Sequence, residues 1–123
     1  MRERYLADSV STASPGKLLV MLYDRLVMDL TRAEQALLAG QRQEANAQLL
    51  HAQDIVLELR TSLNLDVWDG APGLAQIYGF VLTELVGANV RGDAAVVKSC
   101  RELMEPLRDA WREAALATAA AVG

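Results

Sequence analysis

Apolar residues recur along this chain at helical spacing in four separate blocks. In the first block Leu18, Leu22, Leu26, Leu30, Ala33 and Leu37 fall on one face, and Leu19, Tyr23 and Val27 form a second stripe beside it. The run from Leu18 to Tyr23 is apolar at every position, so this helix needs cover on two sides. Ser14 is a good N-cap, Pro15 suits the first helical position, and Gly40 fits the residue after the C-terminal cap. The pattern predicts a helix from 15 to 39. A second, over 42–63, carries Ala45, Leu49, Ala52, Val56, Leu59 and Leu63 at spacings of 4, 3, 4, 3 and 4, a bundle-type seam. Leu50 and Leu57 widen the seam, and Ile55 and Leu50 lie off its main line.

Residues 64–73, NLDVWDGAPG, read as a loop. The third helix, 72–90, aligns Leu74, Ile77, Tyr78, Val81, Leu85 and Ala88, although Gly79 and Gly87 each weaken it by about 1 kcal/mol. Arg91-Gly92-Asp93 is a turn with Asp93 as the next N-cap, and the fourth helix, 94–120, aligns Val97, Cys100, Met104, Leu107, Trp111 and Ala114. Pro106 inside this block is expected to bend or break it. No stretch alternates as a strand does. The short links make sequential helices antiparallel neighbours. The expected fold is all-α, an antiparallel up-down four-helix bundle over 14–120, with an N-terminal arm at 1–13 and a tail at 121–123.

Charge and composition narrow the function. A net charge of −4 argues against nucleic acid and against docking on anionic membranes. No apolar run approaches the length of a membrane span, and the lone Cys100 makes no intramolecular disulfide, so a cytoplasmic protein is expected. Catalytic and metal readings fail on inventory: one His and one Cys, far apart, do not make a zinc site. Neither metal nor cofactor is expected. Ser14 has no neighbouring base, Gly70 and Gly73 lack the strand and GK[ST] of a phosphate loop, and Asp66 and Asp69 read as solvated loop residues. The alternative function kept is a histidine phosphotransfer domain using His51. Asp54, one helical turn on, weighs against it by repelling a phosphoryl group. The positive signal is surplus apolar surface. The other helices cover most of the first helix, and the surplus suits a groove for an amphipathic partner helix.

The chain resembles a known family. The residues that carry the resemblance are Tyr5, Val10-Ser11-Thr12-Ala13-Ser14-Pro15, Leu18-Leu19, Met21-Leu22-Tyr23-Asp24, Ala52 through Leu59, Ser62-Leu63-Asn64, Ile77-Tyr78, Ala88-Asn89 and Leu107 through Trp111. Together they resemble the flagellar secretion chaperone FliS family over nearly the whole chain. Gly16 and Lys17 stand where that family often has Glu, and Pro106 is atypical for its last helix. The resemblance implies a cytoplasmic export chaperone, without cofactor or catalysis. It would bind the disordered C-terminal segment of flagellin, prevent premature polymerisation, and deliver the guest to the export-gate protein FlhA as a complex. A homodimer stays open. By matched position, the resemblance implies guest contacts at Tyr5, Leu6 and Val10 in the arm and at Leu18, Leu22, Tyr23 and Leu26 on the first helix. On the second helix it implies Asn46, Leu50, Gln53, Ile55 and Val56.

The arm generates a first test. Tyr5, Leu6 and Val10 are apolar points in a polar segment, and the reading is that they cover part of the groove when no guest is bound. Deleting residues 1–13 is therefore expected to increase self-association, measured by sedimentation. A truncated protein as monomeric as the full chain, with unchanged guest affinity, leaves a frayed terminus as the better account.

Overall fold

The computed structural model describes residues 14–66 and 69–122, without the side chains of 118–122. Four helices account for it: α1 (Pro15–Leu38), α2 (Arg42–Ser62), α3 (Ala71–Arg91) and α4 (Ala94–Val122). They close a ring in which α1 packs chiefly on α4 and α2, α2 on α3, and α3 on α4. This is the all-α four-helix bundle the periodicity predicts, with helix bounds within two residues of the expected ones. Tyr5, Leu6 and Val10 lie outside the described residues.

The helix ends follow local chemistry. Ser14 Oγ accepts the Lys17 N–H at 3.2 Å, capping α1. Gly40 takes φ 74°, and the Gln41 N–H reaches the Ala36 carbonyl at 2.8 Å, a Schellman closure that turns the chain into α2. Gly92 repeats the device at φ 68°, with the Asp93 N–H on the Ala88 carbonyl at 3.0 Å. Asp93 Oδ1 then accepts the Val96 N–H at 3.2 Å and caps α4. Across the bundle, the Arg42 guanidinium donates to the Asn89 and Val90 carbonyls at 3.0 and 3.2 Å. It thereby satisfies the end of α3 from the start of α2. Pro106 does not break α4, which runs through it without interruption.

The core holds Leu26, Leu30, Leu49, Val56, Val81, Leu85, Val97 and Met104 at zero exposure. Cys100 lies among them as a free thiol, and burial pushes its pKa up to about 11, with the nearby Glu84 charge adding to the effect. Ile55 corrects the expectation that it stands off the seam: it is 7% exposed and belongs to the core cluster beside Val56. Asp29 is the one fully buried charged side chain among the described residues. Its carboxylate accepts from Arg25 Nε at 3.1 Å and meets Nδ1 of His51. A carboxylate without water is costly unless so paired, so His51 works here as half of a bond that makes Asp29 tolerable.

These positions decide the outcome of a carboxylate scan on α2. Ile55→Glu and Val56→Glu are both expected to destabilise the bundle by at least about 3 kcal/mol, because each buries an unpaired charge. Leu57→Glu is expected to change stability by less than about 0.5 kcal/mol, since Leu57 is 53% exposed. Urea unfolding followed by circular dichroism measures all three. A stable Ile55→Glu protein would place that side chain outside the core.

Candidate functional site

At one end of the bundle the start of α1, the end of α2, the start of α3 and Trp111 of α4 surround an open groove of about 1030 Å³. Its position follows from side-chain size. The α1 stripe begins with Pro15 and Gly16, and α3 begins with Ala71, so small residues occupy the end of the bundle where the core would otherwise be filled. A Cβ at position 16 would come within 3.6 Å of Ala115, so α4 closes one side of α1 there.

Eleven of the fourteen lining residues are apolar or aromatic, which makes the groove a burial surface and not a reaction centre. The polar liners Glu58, Ser62 and Asn64 serve the local backbone. Ser62 Oγ donates to the Glu58 carbonyl at 2.7 Å, and Asn64 Oδ1 accepts the Asp66 N–H at 3.0 Å. No group of His, Cys, Asp and Glu suited to a metal occurs among the described residues.

Beneath the groove sits a tyrosine pair. Tyr78 lines the floor, and its hydroxyl lies 2.6 Å from that of Tyr23, with the rings 6.4 Å apart and tilted by 52°. The two link α1 to α3 across the middle of the bundle. Burial pushes the Tyr23 phenol up, and side-chain hydrogen bonding from Tyr78 and Trp111 offsets part of that. Burial also raises Tyr78 well above the ordinary phenol range, and the bond and charge interaction with Tyr23 add to it. Both phenols are thus held neutral at any physiological pH, and they anchor the floor without presenting charge to an occupant.

Of the residues named from the sequence, Leu18 and Leu22 line the groove. Tyr23 and Leu26 lie beneath the surface at zero exposure, as does Val56, with Ile55 beside it. Asn46, Leu50 and Gln53 are not part of the groove lining. Asn46 accepts from Asn89 Nδ2 at 2.7 Å on the seam between α2 and α3, and Leu50 is half exposed. The sequence reading did not count Leu19, Met21, Leu63, Leu74 and Trp111 among the guest contacts, and all of them line the groove. Leu19 sits on the second stripe of α1, a signal that was available. Leu63 and Leu74 flank the 63–70 link, and only the fold brings them together.

Comparison with known proteins bears on the family and the fold. A family model described as Flagellar protein FliS matches residues 1–118. The flagellar secretion chaperone FliS of Bacillus subtilis (strain 168) is 31% identical over 110 residues, spanning 89% of this chain and 82% of that protein. The protein of the same name from Escherichia coli (strain K12) is 31% identical over 111 residues, with 89% and 82% covered. A crystal structure described as a flagellar chaperone from bacteria superposes with a TM-score of 0.76, at 22% identity, over 91% of this chain and 92% of that one.

The tyrosine pair sets an alkaline limit on stability. Unfolded phenols ionise near pH 10, whereas the folded pair resists ionisation. Its contribution is therefore present in full below about pH 10 and is lost as the pH rises through the raised folded values. Unfolding free energy is expected to fall above about pH 10 by up to about 1.4 kcal/mol per pH unit for each tyrosine. Tyr23→Phe is expected to cost about 1–3 kcal/mol at neutral pH, because it leaves the Tyr78 hydroxyl without its partner. The double replacement Tyr23→Phe/Tyr78→Phe should cost less than the two single effects added and should flatten the alkaline slope. Urea midpoints across pH 7–11 measure this, and an unchanged slope in the double variant contradicts it.

Proposed function

We propose that this chain, which belongs to the FliS family of flagellar secretion chaperones, holds the C-terminal segment of flagellin as a helix in the groove formed by α1, α2 and α3. The family is one of chaperones and not of enzymes, and it gives the chain a chaperone role in flagellar export. No described helix is long and apolar enough to cross a membrane. The observation that carries the flagellin reading is the apolar groove at the α1 N-terminus, lined by Leu18, Leu19, Leu22, Leu63 and Trp111. A helix seated there supplies the second cover that the two-striped start of α1 requires.

The energetics suit a temporary guest. Ordering a disordered segment consumes about 2–5 kcal/mol or more of the gross interaction. Burying one leucine or phenylalanine fully returns about 1.5–3 kcal/mol. A groove that takes three or four apolar side chains therefore binds a helix measurably, and its open side lets the guest leave. While held, the guest's apolar face is unavailable for polymerisation. Delivery to FlhA as a complex belongs to the same reading. Leu18 and Leu22 act as contacts, and Tyr23, Leu26, Ile55 and Val56 act beneath them by fixing the positions of the lining helices.

Titration of a flagellin C-terminal peptide into the protein tests this. The expected result is a negative heat-capacity change and more helix than the two components have separately. Leu18→Glu and Leu63→Glu should each weaken the peptide by about tenfold or more while far-UV circular dichroism of the free protein is unchanged. His51→Gln should leave the affinity unchanged. Additive spectra with no heat would overturn the proposal. Phosphate transferred to His51 from a phosphorylated receiver would favour the phosphotransfer alternative instead.

A further inference from the structure

The arginines of this acidic protein are not distributed evenly. On α1 and α4, Arg25, Arg101, Arg108 and Arg112 each close on a carboxylate, and only Arg32 does not. On α2 the pattern reverses. Arg42 donates only to backbone carbonyls of α3, and the Arg60 guanidinium lies over Gly79 of α3, in the space a side chain at that position would enter. Neither meets a carboxylate among the described residues. The contacts of Arg42 and Arg60 place both on the seam between α2 and α3, one at each end. They are eighteen residues apart, about 27 Å along a helix.

The seam between them is apolar and open. Helical spacing puts Leu50 and Leu57 on the outer side of α2 next to Asn46, and Val86 and Val90 on the facing side of α3 next to Asn89. All four are half exposed or more: Leu50 50%, Leu57 53%, Val86 50% and Val90 75%. Glu84, the one acidic residue of α3, is placed by helical spacing well round the helix from Val86 and Val90. Asp54 is the one carboxylate near the two leucines, and it stands midway along the seam.

We propose that the α2/α3 seam is a second docking surface, separate from the groove, and that it takes a partner helix of about five turns with an apolar middle and carboxylates at both ends. Leu50, Leu57, Val86 and Val90 receive the apolar stripe. Arg60 and Arg42 receive the terminal carboxylates, Arg60 through a planar fork that suits bidentate pairing and Arg42 through the donors its bonds to the α3 carbonyls leave free. Asp54 repels a carboxylate at the centre, which fixes where the occupant's acidic residues must lie. Arg42 already satisfies the last carbonyls of α3, so its guanidinium is held in place before the partner arrives.

Three synthetic eighteen-residue helical peptides test the proposal. They share one leucine stripe and differ only in carrying Glu, Gln or Lys in their first and last turns. Fluorescence anisotropy with the full-length protein measures binding at low and high salt. The expected order is Glu over Gln over Lys, with about a tenfold span at low salt that shrinks at high salt. Arg60→Glu replaces an exposed side chain and should weaken the Glu peptide about tenfold while strengthening the Lys peptide. Leu57→Glu should remove binding of the Glu peptide, and the groove variant Leu18→Glu should leave it unchanged. Three peptides bound alike, none bound, or a loss with Leu18→Glu but not with Leu57→Glu would overturn the proposal. Because the flagellin peptide responds to Leu18→Glu, failure at the seam and failure at the groove are read separately.

Discussion

The apolar surplus of α1 is the constraint from which the rest of the architecture follows. A helix with stripes on two flanks cannot rest on one neighbour. α2 and α4 take the two sides of α1, and α3 closes the ring behind them. Along most of α1 this cover is complete, and Leu26, Leu30 and Ala33 have zero exposure. It fails only over the first two turns, where Pro15, Gly16 and Ala71 are too small to fill the space. Leu18, Leu19 and Leu22 remain partly exposed there, and the groove is the geometric remainder of an otherwise well-packed bundle.

Leaving one end of a core open requires that the rest be held firmly, and the polar contacts are placed accordingly. Tyr23 and Tyr78 join α1 to α3 directly beneath the groove, so an occupant meets a floor fixed by a hydrogen bond of 2.6 Å. At mid-bundle Asp29 is bonded from Arg25 and His51, which ties α2 to α1. At the far end Arg42 joins α2 to α3. Along the α1/α4 interface Arg101 bridges Glu34 and Glu105, while Arg112 reaches Asp24. Surface pairs of this kind contribute little energy singly. They do select one register for helices whose apolar stripes alone would tolerate sliding.

Much of this was legible in the sequence because it is local. Ser14-Pro15, Gly40 and Gly92-Asp93 announce helix ends through backbone chemistry that needs no tertiary partner. Ile55 was not legible. A seam counted at spacings of 4 and 3 assumes one facing neighbour, whereas α2 lies between α1 and α3, and the buried sector widens until Ile55 and Val56 both fall inside it. Between the bend and the break that Pro106 left open, the helix does not break: a proline removes one hydrogen bond of a long helix, and the packing of Met104, Leu107 and Trp111 on either side outweighs that loss. Part of the groove lining was out of reach as well. Leu63, Leu74 and Trp111 become neighbours of Leu18 only once the ring has closed, and the Asn46–Asn89 bond joins residues 43 positions apart.

On the proposed function, the same geometry would let a small, acidic bundle act as a temporary holder. A fully enclosed cavity would bind a helix tightly and release it slowly, because release would require the bundle to open. A groove left by small residues at the end of a ring has one open side, so the guest departs without disturbing Tyr23, Tyr78 or the helices they join. The neutral floor matters for the same reason. Charge beneath the guest would add affinity for one particular sequence and would make release depend on salt, whereas an apolar surface accepts any helix that offers the matching stripe. Selectivity then rests on the shape of the rim, on the polar edge at Glu58, Ser62 and Asn64, and on whatever the guest touches beyond the groove.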